Sequence, residues 1–401
     1  SAAGITSADT KWFDDISRTG LVQSYNLAFS TGSDKGSTRI ALGYYDNKGI
    51  IKETGYKRAT ARVNSQYNLF NDRLKIGENI SLSGSQAVPD AGAVGLAEIV
   101  QPILPVHTTS GGWAGPSGAG FDDRDNPARV VDDTKWNRLS ILDLVGNTYL
   151  DFSILKNLSV KTNFGVQYEG ARQKIIDKTF QSGFLSRTIN DLNVSQADNI
   201  NWTWNNTIDY HIRRGGHYLD VLAGMEMIKN NADTFSAYRE NFALQTPDYF
   251  YLNAGTGNKN NAGIGGGYSL LSYFGKLNYS YEDKYLVSGT LRYDGSSRFG
   301  GNNKFGLFPA FSLGWRLIRE NFIQQNLGFL SDLKLRFGWG QTGNQEISNN
   351  AIYALYIPQY GDPNNVGGIS NGTAYGIAGQ DNGTLPSGFL AIQQANPNLK
   401  W

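Results

Sequence analysis

Apolar and polar residues alternate with period two along most of this chain. From Leu158 the apolar set is Leu158, Val160, Thr162, Phe164, Val166 and Tyr168, interleaved with Ser159, Lys161, Asn163, Gly165, Gln167 and Glu169. Tyr273, Leu277, Tyr279 and Tyr281 stand opposite Lys276, Asn278 and Ser280. Leu333, Leu335, Phe337 and Trp339 stand opposite Lys334, Arg336, Gly338 and Gly340. Successive side chains of a strand point to opposite faces, so each segment predicts one apolar, aromatic face and one charged or small face. Twelve strands are predicted: 22–32, 37–46, 55–69, 74–87, 138–153, 158–171, 197–211, 217–230, 268–280, 285–295, 306–318 and 332–343. Many are far longer than the ~5–6 residues of ordinary soluble strands. A tilted membrane-spanning strand needs about 9–11 residues.

The connections alternate in length. Short ones fall at Ser33–Gly36, Phe70–Arg73, Leu155–Asn157, Arg213–Gly216 and Tyr281–Lys284. Those between them are longer: Asn47–Thr54, Val88–Asn137, Arg172–Gln196, Asn231–Gly267 and Ser296–Lys304. Antiparallel strands place alternate connections at opposite ends, so one end has tight turns and the other large loops. Outer-membrane barrels have that asymmetry, with short periplasmic turns and long external loops. The fold class expected is therefore all-β, an antiparallel transmembrane barrel. Residues 1–21 form a lead-in, 22–343 the strands with their loops (largest 88–137, 172–196 and 231–267), and 344–401 an external loop leading to a further strand. Ala91–Leu104 reads as a short helix ended by Pro102 and Pro105, and Arg319–Ser331 as a longish connection on the short-turn side. No charged and apolar leader is seen at Ser1, and Ala395–Trp401 shows no alternation.

Composition agrees. Gly 48, Tyr 22, Phe 20 and Trp 8 in 401 residues suit turns and strands. No apolar run approaches the 18 residues of a spanning helix, which leaves a barrel open. Lys plus Arg is 36 and Asp plus Glu 35, so there is no basic surplus of the kind a nucleic-acid binder shows. Zero Cys excludes thiolate metal sites and a Cys nucleophile, and three His leave little for other metal chemistry.

The segment Lys11–Ser83 (KWFDDISRTGLVQSYNLAFSTG…ENISLS) resembles the SusC/RagA family of TonB-dependent transporters of Bacteroidetes. So do Tyr279–Ile323 (YSYEDKYLVSGTLRYDGSSRFGG…RENFI), Leu330–Ile347 (LSDLKLRFGWGQTGNQEI) and the closing NPNLKW. The resemblance implies a 22-stranded barrel holding an N-terminal plug, of which about twelve strands and no plug or TonB box are visible, so this stretch resembles the middle of the barrel domain, soon after the plug. It further implies import of a large nutrient, an oligosaccharide or a peptide, across the outer membrane of a Gram-negative, Bacteroidetes-like bacterium. The implied partners are a SusD-like surface lipoprotein, the TonB–ExbB–ExbD complex acting through the plug, and outer-membrane lipid. A passive twelve-stranded pore and a β-rich glycan-binding module are the alternatives.

Candidate residues follow from the pattern. Tyr44, Tyr45, Tyr67, Tyr149, Tyr168, Tyr279, Tyr281, Tyr293 and Trp315 suit interfacial belts, having an apolar body and a polar tip. Arg62, Lys161, Asn163, Lys276, Arg292 and Lys334 are expected to line a lumen. Flat rings pack on the apolar faces of sugars, so the loop aromatics Trp113, Trp136, Tyr249, Tyr251, Tyr356 and Tyr360 are the ligand-contact candidates. The acidic group Asp122, Asp123, Asp125, Asp132 and Asp133 lacks the spacing of a calcium loop. Gly263–Gly267 precedes a strand and lacks the Lys-Ser/Thr of a phosphate loop. No catalytic constellation, metal site or cofactor is expected.

Overall fold

The structure, a computed structural model, describes residues 8–90, 92–118, 120–327, 329–359 and 388–401. Its elements in chain order are α1 (Trp12–Ile16), β1 (Val22–Ser33), β2 (Gly36–Lys48), β3 (Gly55–Leu69), β4 (Leu74–Val88), α2 (Ala93–Ile99), α3 (Pro127–Thr134), β5 (Arg138–Leu155) and β6 (Leu158–Asp177). Then follow β7 (Phe180–Ser182), β8 (Leu185–Arg187), β9 (Asp191–Arg214), β10 (His217–Glu240), β11 (Lys259–Tyr281), β12 (Tyr285–Ser296), β13 (Phe305–Trp315), α4 (Asn321–Asn326), β14 (Leu335–Gly340), β15 (Leu355–Gln359) and β16 (Gly388–Gln393). Twelve strands pair in the order β1-β2-β3-β4-β5-β6-β9-β10-β11-β12-β13-β14. Two small sheets, β7-β8 and β15-β16, stand apart. No helix among the described residues is long and apolar enough to cross a membrane.

All twelve expected strands are present. Three of the five tight turns, at Phe70–Asp72, Gly215–Gly216 and Glu282–Asp283, use the left-handed backbone that suits twisted hairpins. Gly215 and Gly216 have φ of 55° and 80°, and Glu282 and Asp283 have 49° and 56°. Several boundaries differ from expectation. β6 reaches Asp177, β9 starts at Asp191, β10 runs to Glu240 and β11 starts at Lys259. The expected loop 172–196 is thus largely strand, and about half of 231–267 is. α1 and α3 add helices that the pattern did not predict, and the expected helix shortens to Ala93–Ile99.

Two compact units divide the chain. The first comprises residues up to Phe152 with Asn163–Thr203 and Asn230–Gly266. Its register sorts residues into rows. Leu27 faces Leu42, which faces Ala61, then Leu82 and Leu144. The next row is Phe29, Ile40, Val63, Ile80 and Gly146. The opposite face carries Ser30, Arg39, Asn64, Asn79 and Asn147 in one row and Ala28, Ala41, Arg62, Ser81 and Val145 in another. The apolar rows are uncovered: Leu27 is 70% exposed and Phe29 66%. A soluble sandwich would bury such a face under a second sheet.

Buried apolar clusters lie instead in the connections. Trp12 and Ile16 of α1 join Ala93, Ala97 and Val100 around α2, Leu104, Ala114, and Val131 of α3. Backbone and side-chain bonds from Thr10 to Pro102 and Leu104 (2.8 and 2.7 Å) hold the lead-in there. β1 descends from this end to the tight turn with β2, so residues 8–21 pack at the long-connection end. Asn126 is fully buried and organises α3. Its Oδ1 accepts from the backbone N–H groups of Ala128 and Arg129, while its Nδ2 donates to the carbonyls of Val106 and Ala114, both at 2.9 Å. Pro127 occupies the first helical position, where no N–H is needed. A second cluster joins Ile176, Leu192, Phe242 and Phe250.

The second unit comprises Ser153–Thr162, Trp204–Lys229 and Gly267–Trp401. It repeats the sorting. Leu277, Gly289, Phe311 and Trp339 form one apolar row, and Tyr279, Val287, Leu313 and Phe337 the next. The opposite face shows Lys276, Thr290, Ala310 and Gly340, beside Asn278, Ser288, Ser312 and Gly338. Trp401 docks on Phe299 and Phe308 with ring centroids 4.8 and 5.3 Å away. Within 344–401, β15 and β16 pair where a loop was expected.

Two outcomes are expected. Leu82→Arg should cost about 2–4 kcal/mol in denaturant titrations in lipid, the penalty of a cation at mid-membrane. Ser83→Arg, one residue on and beside Asp143, should stay within about 0.5 kcal/mol; equal effects would contradict the face assignment. Asn126→Ala removes a cap and one of two donors to each of the Val106 and Ala114 carbonyls, which keep Ala114 N–H and Ser182 Oγ, so it should destabilise the 88–137 connection by about 1–2 kcal/mol, read as earlier proteolysis between residues 105 and 130.

Candidate functional site

The polar face is the candidate site. In the first unit Arg39, Arg58 and Arg62 converge over a 380 Å³ cavity with Asn26 and Thr60. None of the three has an ion-pair partner among the described residues, so their guanidinium forks are available to carboxylates or phosphates. Beside them an amide ladder crosses the strands. Asn79 Nδ2 donates to Asn147 Oδ1 at 3.3 Å, and Asn147 Nδ2 donates to Asn163 Oδ1 at 2.7 Å. The ladder borders a 340 Å³ cavity that also includes Arg62, Gln167 and Asn201. Towards the loop end, Leu139, Gln173, Ser195, Thr234, Ser236 and Ile264 line a 460 Å³ notch.

In the second unit a larger hollow of 1070 Å³ lies at the tight-turn end. Arg213, Arg214, Lys334 and Arg336 line it with Asn278 and Ser288. Asn278 Nδ2 donates to Asp220 Oδ1 at 3.1 Å. Arg292 forks onto Asp294 at 3.0 and 3.1 Å and lies over the Phe274 ring. Arg62, Asn163, Lys276, Arg292 and Lys334 therefore stand on the polar faces of their units, and Lys161 shares the strand parity of Asn163.

The aromatic residues divide between the faces. Tyr25 faces Tyr44 on the apolar side, and Tyr67 lies eight residues beyond Tyr44's partner, Ala59. Tyr281, Tyr285 and Trp315 form a stacked row, with successive centroids 6.4 Å apart, and Tyr293 stacks on Phe305. Tyr285 and Tyr293 are also eight residues apart, about 26 Å along a strand, or roughly 18–21 Å along the membrane normal at the ~35–45° strand tilt of outer-membrane barrels. Two belt assignments need correction. Tyr149 lies on the polar face, its hydroxyl donating to Gln66 Oε1 at 2.8 Å over the bare backbone of Gly77, where a Cβ would meet its ring at 2.3 Å. Tyr45 pairs with Ser24 and Arg58 on that same face.

The loop aromatics have different surroundings. Trp113 stacks on His107 at 4.5 Å. Trp136 packs against Phe250, beneath the ammonium groups of Lys135 and Lys178. Tyr251 and Tyr356 are 64% and 62% exposed and Tyr249 is marginally so. Tyr360 lies outside the described residues. Three of the five acidic residues are engaged by cations. Asp125 and Asp133 both bond Arg129, and Asp132 and Asp133 both pair with Lys178. No group of three or more acids or histidines poised for a metal occurs among the described residues.

Compared with curated proteins, the chain is similar over 100% of its length to the TonB-dependent receptor SusC of Bacteroides thetaiotaomicron, at 31% identity, and covers 40% of that receptor. The TonB-dependent receptor P3 of Formosa agariphila is 27% identical over 98% of the chain, which covers 38% of it. Among solved structures, the RagAB peptide importer in its open-open state superposes with a TM-score of 0.78 at 22% identity, over 99% of this chain and 43% of that one. A second RagAB peptide transporter structure gives 0.77 at 20%, over 99% and 43%. These structures show the fold, that of TonB-dependent receptor barrels. The chain spans about two fifths of the length of the curated relatives it matches. No family model matches it.

One pH dependence follows from the loop contacts. Burial works against ionisation of Asp132, but hydrogen bonds and charge from Lys135 and Lys178 outweigh it and hold the carboxyl below its ordinary value. Its stabilising contribution is full above the unfolded pKa and lost as pH falls through the lower folded value. Hydrogen exchange in α3, corrected for intrinsic rates, should be flat above about pH 5 and lose protection below about pH 4. Asp132→Asn should remove that step.

Proposed function

The chain belongs to the SusC/RagA family of TonB-dependent outer-membrane receptors, and from that premise we propose that it forms wall and mouth of an energised importer. The cargo is a nutrient too large for passive pores, an oligosaccharide or a peptide. The observation that carries this reading is the sorting of one continuous sheet into an uncovered apolar face and a face of Arg, Asn, Ser and Gly. The apolar face suits hydrocarbon, and the polar face suits a hydrated passage. Small residues such as Ser288, Ser312 and Gly338 keep the wall open, while Arg39, Arg58 and Arg62 supply hydrogen-bond donors.

No covalent chemistry is asked of these residues. Movement is a sequence of binding states, biased by whichever state holds the cargo better. Exposed apolar side chains on the long connections, Tyr251, Leu244 and Phe184 among them, support a SusD-like lipoprotein lid at that end. Energy from TonB–ExbB–ExbD would act on a plug within the wall.

Uptake of fluorescent oligosaccharides and oligopeptides by cells carrying the full-length protein tests this. Uptake of at least one class should disappear when TonB is deleted or the proton gradient is collapsed. Uptake that continues undiminished without TonB would make the protein a passive pore.

A further inference from the structure

We propose that the connection between β13 and β14 is an amphipathic strap on the outer, lipid side of the sheet, seating Phe322 and Phe329 in the phospholipid boundary at the tight-turn end. The proposal rests on reading the apolar face as the lipid face.

The position of the strap follows from one carboxylate. Glu320, between the 3-10 turn Leu317–Arg319 and α4, accepts hydrogen bonds at one oxygen from Tyr285 Oη at 2.8 Å and Trp315 Nε1 at 3.0 Å. Tyr285 and Trp315 are register partners. They share a face with Val287, Leu313 and Phe337, and lie in a row with Tyr281 and Leu335. The strap therefore starts against the apolar face, outside the passage. Its other ties run to the β11–β12 turn. Arg316 and Arg319 both bond Asp283, and Lys284 Nζ lies 3.8 Å from Glu320.

These ties leave two large rings unpaired. Phe322 of α4 is 53% exposed and Phe329 is 81% exposed, whereas Ile323 and Leu327 are half-buried. Tyr285 and Trp315 have polar tips that suit the headgroup level, and Glu320 satisfies both tips from within the protein. The strap continues that girdle with apolar groups, as an interfacial helix does. Lys284, Arg316 and Arg319 are matched by Glu282, Asp283 and Glu320. Attraction to anionic headgroups is therefore not what seats it; burial of the two phenyl rings is. The occupant is a phospholipid monolayer, held by continuity with the apolar rows of the sheet.

The chain has no Cys, so single labelling sites can be placed in it once any cysteine elsewhere in the full-length protein is replaced. Phe322→Cys and Phe329→Cys would carry an environment-sensitive fluorophore in the full-length protein reconstituted in phosphatidylethanolamine–phosphatidylglycerol vesicles. Leu313→Cys, on the apolar face, is the lipid reference, and Ser312→Cys, next to it on the polar face, the aqueous one. Labels at 322 and 329 should be quenched at least threefold more by lipids spin-labelled near the headgroup than by aqueous iodide, with little effect of 0.5 M salt. Iodide quenching at 322 and 329 with lipid quenching at 313 would overturn the strap and leave the membrane reading standing. So would protection from both quenchers, which would mean that protein covers the rings. Absence of lipid quenching at 313 would overturn both.

Discussion

Hydrocarbon offers no partner to a peptide group, and each unpaired N–H or C=O there costs several kcal/mol. A chain that crosses it in strands must pair every strand with its neighbours. That requirement explains the continuous ladder from β1 to β14, in which chain neighbours are sheet neighbours apart from the small β7–β8 hairpin that stands aside. It also explains why register is specified so tightly. A slip of one residue between β3 and β4 would turn Leu82 and Ile80 to the passage and Ser81 and Asn79 to lipid. Backbone pairing thus fixes side-chain chemistry on both faces at once.

With the sheet left bare on one side, packing moves elsewhere. The buried clusters sit in the connections, where helices α1 to α3 and the loops behind β6 and β10 enclose Trp12, Ile16, Phe242 and Phe250. Asn126 and Arg129 belong to the same design. Asn126 bonds four backbone groups and Arg129 pairs with Asp125 and Asp133, so the long connections hold a shape instead of trailing in water. The aromatic girdle and the Glu320 strap do the corresponding work at the tight-turn end. Ordered loops suit the proposed import, in which cargo and lid would meet a surface already formed.

Much of this was legible in the chain. Strands such as β3, β4 and β12 alternate cleanly because one face meets hydrocarbon and the other water, and the turn residues Gly215 and Gly216 announce their hairpin. Where the environment stops differing between faces, the signal fades. The outer ends of β6, β9, β10 and β11 carry polar residues on both sides, and 172–196 therefore reads as loop. β5 places Ile141, Val145 and Tyr149 on the polar face opposite Leu142, Leu144 and Leu150, so hydrophobicity does not disclose its parity or the face of Tyr149. Asn126 followed by Pro127 is a cap-and-first-turn signal that could have marked the start of α3, which the alternation alone does not predict. The place of α1 was not readable, since it depends on the direction of β1 and on contacts with residues 93–104. Trp136 shows the limit for ligand candidates: an aromatic residue in a loop looks the same in sequence whether it awaits cargo or packs on Phe250.

The most direct test of the account is spin-label accessibility along β4, residues 79–84, in the full-length protein in lipid. Oxygen, which concentrates in hydrocarbon, should collide most at 80, 82 and 84, and a water-soluble nickel chelate most at 79, 81 and 83. Accessibility without that two-residue period, or water access at every position, would contradict a sheet whose one face is hydrocarbon and whose other is a passage.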